Sequence, residues 1–186
     1  VVCDKSKFFK AACSKNWAEG LQRLVRLPEV KAKVFQDYCK WIYSGVIPVS
    51  RISAGSEVEE TYTEQELFVN LYLIGDLLDD IQLRNLATRE MFAGMKGVGL
   101  PCSVTMARVC SLTPPGSLFR KMMVNCTVDL LSPTAFAESV ATDPPEFVRE
   151  IAIAAYVIAS NGGRLLHPIG DGSQYLETEK PKVNTS

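Results

Sequence analysis

The side chains able to do chemistry are few and scattered. There is one histidine, His167, and it sits at the start of the C-terminal stretch. A Cys–His nucleophilic pair would have to use it. The six cysteines are Cys3, Cys13, Cys39, Cys102, Cys110 and Cys126. No two form a CxxC pair, and no Cys and His fall at zinc-ligand spacing. There is no GxxxxGK[ST] and no strand–GxGxxG–helix. "GMKGVG" from Gly94 to Gly99 has three glycines, but it follows a helical pattern, which argues against a phosphate cradle. Asp79-Asp80 reads as a turn or helix cap rather than an acid/base pair. An active site needs a convergent set of such groups. The expectation is therefore no enzyme, no cofactor and no metal.

Binding is the better prospect. Trp17 stands in a polar turn, "CSKNWAEG", two residues before Glu19. Such a large apolar side chain either anchors the turn to a core or is offered to a partner. Charge is segregated too. Residues 1–45 carry nine Lys or Arg against four acids, whereas residues 52–83 carry eight acids and no Lys or Arg. Two solvated faces of opposite sign would explain this, as would steering of a partner or a second copy. In "DKSKFFKAACSKNW" the lysines and the Phe pair fall on different sides of a helix, so nucleic acid is not an expected partner.

The chain has 186 residues, 47% apolar and 22% charged, with a net charge of −1. That composition predicts a packed core and gives no general affinity for membranes. The longest apolar run, Ile151 to Ala159, is too short to span a bilayer. Without a signal-peptide pattern, the cysteines are expected as thiols in the cytosol or nucleus. The sequons at Asn125 and Asn184 are then chance matches. The first residue is Val1, which suggests a fragment.

The elements that must position these residues read as mostly helical. Phe8, Phe9, Ala12 and Cys13 have helical spacing behind Asp4 or Ser6 as N-cap. Gly20 is expected to break that region, and "LQRLVRLPE" to form a strand ended by Pro28. Its alternation is imperfect at Arg23 and Leu24. Val34, Phe35, Tyr38, Cys39, Ile42 and Tyr43 make one stripe, closed by Gly45 at C′. "VIPVSRI" suggests a short edge strand. Thr63 and Glu66 have capping-box spacing ahead of Leu67, Phe68, Leu71, Tyr72, Gly75 and Leu78. A further helix presents Leu83, Leu86, Ala87 and Met91. Helical segments follow at 103–111, 117–131 and 145–160, with Ser132-Pro133 opening a minor piece. Asp143-Pro144-Pro145 supplies a cap and a Pro start. The aromatics Phe8, Phe9, Phe35, Tyr38, Trp41, Tyr43 and Tyr72 read as core, with Trp41 nearest the surface.

The order of motifs is recognisable. "SKFFKAAC", "VRLPEV", "VFQDYCKWIYSG" and "LYLIGDLLDDIQLRNLA", over residues 3–97, resemble the BTB/POZ domain. "VCSLTPPGSLFRKMMVN" more loosely resembles the helical extension of fungal BTB proteins. The resemblance implies an α+β, mostly α-helical fold: a BTB/POZ-like helical cluster with a small residual sheet, followed by extra helices. It implies a BTB/POZ-like domain over 1–97 lacking its N-terminal strand hairpin, a helical extension over 98–166 and a flexible tail over 167–186. It also implies a protein–protein interaction module without catalysis. Many members are adaptors for cullin-based ubiquitin ligases. Others self-associate or recruit transcriptional corepressors, and full-length members form homodimers. Cullin-binding members carry a hydrophobic-x-Glu motif after the helix with the paired aromatics. Trp17, Ala18 and Glu19 occupy that place and are the expected partner-binding residues, with a cullin as partner. The alternative is a self-association or transcriptional scaffold without cullin contact.

Overall fold

A computed structural model of the chain describes residues 6–14, 18–22, 24–47, 63–97, 99–162 and 170–178. Among them are nine α-helices and no strand. They are α1 (Lys7–Ala12), α2 (Ala18–Gln22), α3 (Ala32–Ser44), α4 (Glu64–Leu77), α5 (Ile81–Gly97), α6 (Ser103–Leu112), α7 (Leu118–Leu130), α8 (Pro133–Thr142) and α9 (Pro145–Ser160). A 3₁₀ turn spans Ser173–Tyr175. The chain divides into two compact units, Val1–Ala87 and Thr88–Ser186. The division falls inside α5, ten residues before the 97/98 boundary read from the sequence.

In the first unit, local capping starts the helices. Ser6 caps α1, its Oγ accepting from Phe9 N at 3.4 Å. Thr63 and Glu66 form the full capping box of α4. Gly45, at φ 71°, ends α3 in the left-handed conformation that glycine adopts without a Cβ penalty. An aromatic series, edge-to-face as far as Phe35, then links α1 to α3. Phe8 meets Phe9 at 5.1 Å and Phe9 meets Phe35 at 6.1 Å, with Tyr38 6.2 Å beyond. α3 packs against α4. α4 is central: Leu67 through Tyr72, Ile74 and Gly75 are all buried, so burial extends beyond the face read from periodicity.

Asp80 and Arg84 join α3, α4 and α5. Asp80 Oδ1 accepts from Leu83 N at 3.0 Å, capping α5, while Oδ2 accepts from Trp41 Nε1 at 3.2 Å. The helix-cap reading of Asp79-Asp80 holds for Asp80. Arg84 is buried and donates to Gly75 O at 3.1 Å. It also faces Asp76 and Asp79 at 3.8 and 3.7 Å. A Cβ on Gly75 would lie 3.1 Å from Arg84 Cγ and 3.3 Å from both Arg84 N and Asp80 O. Glycine there lets α5 approach α4 closely.

Three local expectations are corrected. "LQRLVRLPE" forms no strand among the described residues. Its first two residues end α2, Leu24–Leu27 pair with no ladder, and Pro28 starts a turn. Leu24 N instead donates to Glu19 O at 3.1 Å, and Val30 N to Leu27 O at 3.1 Å. Local closure has won over the broken alternation at Arg23 and Leu24. Gly20 lies within α2 rather than ending a helix, and a Cβ there would run into the Ser14 carbonyl. Tyr43, read as core, is 59% exposed. The expected residual sheet has no described strand; its second segment lies mostly outside the described residues, beyond Ile47.

In the second unit, α9 packs on α7, α6 and α8. Ser117 and Ser132 cap α7 and α8 by accepting from Arg120 N and Ala135 N. α9 begins with Pro145 at N1 and Pro144 at the cap position, so Asp143 lies one residue further out than expected. Phe119, Met122, Met123, Phe147 and Ile151 fill the core. Residues 170–178, read as part of a flexible tail, instead dock. Tyr175 is buried, accepts from Asn125 Nδ2 at 2.9 Å and lies 6.3 Å from the Phe92 ring. Among the described residues, no helix is long and apolar enough to cross a membrane.

Candidate partner-binding surfaces

The sequence motif at 17–19 is only partly described. Trp17 lies outside the described residues, so its exposure does not separate anchor from contact. Ala18 opens α2. Glu19 is half-buried in the first turn of α2, where a carboxylate favours the helix dipole. Leu21, in the same short helix, is 73% exposed, and Leu24 just after it is also exposed. The described part of the motif is thus a helical turn with an acid at its start and two bare leucines after it.

A second surface forms at the end of α3. A cavity of about 530 Å³ is lined by Cys39, Lys40, Tyr43, Ser44, Val46 and Ile47. Its shape follows from the αL turn at Gly45. Ser44 Oγ donates to Lys40 O at 2.7 Å and accepts from Val46 N at 3.1 Å, turning the chain back over the helix end. Tyr43 and Val46 stand on the rim, and Ile47 is buried. Charge nearby is partly neutralised. Asp37 is buried, and its Oδ1 accepts from Lys33 Nζ at 3.3 Å and Lys40 Nζ at 3.2 Å. Burial pushes the Cys39 thiol up, which disfavours a nucleophilic thiolate in this cavity. The sequence placed Tyr43 inside because it shares the apolar stripe. Trp41, placed near the surface, is half-buried and tied to Asp80.

The second unit offers chemistry of another kind. Burial raises Cys110 and Cys126 from 9.0 to about 11, so both are protonated at neutral pH. Among the described residues, no three of His, Cys, Asp and Glu group to hold a metal. His167 lies outside the described residues. α9 carries an outward apolar face: Ile153 is 56% and Tyr156 75% exposed, and Ala152, Ala155 and Ala159 are exposed beside them. From Ile151 to Ser160 this helix has no charged residue. The uncharged run was visible in the sequence, but which side faced outward was not.

Arg120 escaped the sequence reading. It is buried, and it binds the Glu150 carboxylate together with the carbonyls of Cys110 and Thr113. An arginine inside the apolar pattern "SLFRKMMVN" was the available clue. No family model, curated protein or solved structure matches the chain. The likeness to the BTB/POZ domain therefore rests on the four motifs and their order.

Proposed function

We propose that this chain is a BTB/POZ-type protein-interaction module that acts as an adaptor for a cullin-based ubiquitin ligase. The observation that carries the proposal is the packing of α3 on α4, with the aromatic series from Phe9 to Tyr38 behind it. The motif order requires the segments around 31–45 and 64–79 to meet in this way. The scarcity of titratable clusters supports a binding role without catalysis or cofactor. In this reading Trp17 supplies the anchor, Ala18 the spacing and Glu19 the charge that sets register on the cullin. The working compartment is the cytosol or nucleus.

The test is a cullin pull-down with Trp17→Ala combined with Glu19→Ala, alongside circular dichroism to follow the fold. The proposal expects loss of pull-down with helix content kept. Unchanged pull-down sinks it.

A second reading, self-association or a transcriptional scaffold without cullin contact, is favoured by the bare face of α9 at Ile153 and Tyr156. It expects a stable oligomer by light scattering and no cullin in the pull-down.

A further inference from the structure

The docked segment Gly170 to Tyr175 has the form of a ligand seated in a receptor. Its own residues shape it as a turn. Gly170 and Gly172 have φ of 50° and 81°, and Asp171 Oδ1 accepts from Ser173 N at 3.0 Å. This turn aims Tyr175 into a slot on the second unit formed by Phe92 and Lys96 of α5 and Asn125 of α7. Each slot residue reads a different feature. Phe92 packs beside the Tyr175 ring and directly under Gly172, where a Cβ would come within 2.9 Å of its ring. Asn125 Nδ2 donates to the phenol oxygen at 2.9 Å. Lys96, which lies over the Phe92 ring at 4.8 Å, donates to Gly170 O at 3.2 Å. The slot thus selects a glycine where close approach demands it and a tyrosine three residues later, at the end of one 3₁₀ turn.

We propose that this slot is a self-recognition site, filled in cis by residues 170–178 and in trans by the same segment of a second copy. The occupant follows from chemistry: a Gly-x-Gly-x-x-Tyr turn is what the slot accepts, and every copy of this chain brings one. The segment is seated through one buried aromatic, Tyr175, at the edge of the unit, so it can open without unfolding the unit. Exchange between copies then reproduces the same contacts and needs no new surface. The cis segment has an effective concentration on the order of millimolar, so exchange should grow as protein concentration approaches that range.

The experiment uses the full chain, light scattering across a concentration series and a fluorescent peptide, GDGSQYLET, spanning 170–178. The expected result is a dimer that grows with concentration and disperses with excess unlabelled peptide. The Tyr175→Ala chain should stay monomeric and bind the labelled peptide at least tenfold more tightly than the unaltered chain. Gly172→Ala, which leaves every slot residue in place, should behave in the same way if Tyr175→Ala fails to fold. A monomer at all concentrations overturns the proposal. So does a dimer that persists in the variants or in excess peptide, because that assembly would use another surface such as α9. Equal peptide binding by variant and unaltered chains overturns it as well.

Discussion

The Arg120 guanidinium holds both oxygens of the Glu150 carboxylate, with Nε 3.0 Å from Oε2 and the second terminal nitrogen 2.7 Å from Oε1. The remaining terminal nitrogen reaches Cys110 O at 2.9 Å. One side chain thus ties the end of α6, the start of α7 and the first half of α9. Its planar fork is suited to this task and lysine's point charge is not. Glu150→Ala leaves a buried cation with half its partners and is expected to cost about 3 kcal/mol. Replacing both members by apolar residues of similar volume should cost much less. Urea unfolding of the two variants side by side checks the asymmetry.

Asp80 serves two helices through its two oxygens, so its loss is felt twice. Asp80→Ala should destabilise the first unit by roughly 1–2 kcal/mol, combining a lost N-cap with an unpaired indole. Trp41→Phe removes only the second contribution. The difference between their urea midpoints isolates the cap.

The thiols should divide by reactivity. Cys13 and Cys102 are exposed, whereas Cys110 and Cys126 are buried with pKa values of about 11. Iodoacetamide at neutral pH is expected to label the first pair and spare the second until denaturant is added. Mass mapping of the alkylated peptides reads this directly. The same shifts set a pH dependence. Each buried thiol stays protonated in the folded state where the unfolded thiol has already ionised. Their contribution to stability is complete below pH 9 and is lost as pH rises from 9 towards 11. Thermal melts across that window should fall, and more steeply than in a Cys110→Ala, Cys126→Ala chain.

Asn70 is buried in α4, and neither its amide nitrogen nor its oxygen has a hydrogen-bond partner among the described residues. Unpaired buried amides cost about 1–3 kcal/mol relative to paired or absent ones. Asn70→Leu is therefore expected to stabilise the chain by about 1 kcal/mol. An unchanged or lower melting temperature would mean that the amide has a partner in solution.

What the sequence disclosed was set by range. Helix starts at Ser6 and Thr63 were legible because a cap and its donor lie three residues apart. The end of α3 was legible because glycine alone takes the αL position easily. The strand at 21–28 failed because local closure at Glu19 and Leu27 competes with pairing that needs a distant partner. Gly20 misled for a related reason: its missing Cβ serves contact with Ser14 rather than helix breaking. Arg120–Glu150, Trp41–Asp80 and Asn125–Tyr175 join residues 30, 39 and 50 positions apart. No local spacing encodes such pairs. For the candidate site, the sequence placed a hydrophobic-x-Glu motif at 17–19, but the cavity at Tyr43 and Val46 depends on how the chain turns after Gly45.

The bare face of α9 also bears on how the protein behaves as a colloid. A chain with net charge −1 has little long-range repulsion to keep copies apart. Ile153 and Tyr156 then project from a helix stretch with no charge to blunt them. Salts such as sulfate, which are excluded from apolar surface, should drive copies together at lower concentrations than for an evenly charged helical protein. A single outward lysine at Ile153 would shift that solubility limit upward while leaving the buried side of α9, at Phe147 and Ile151, as it is.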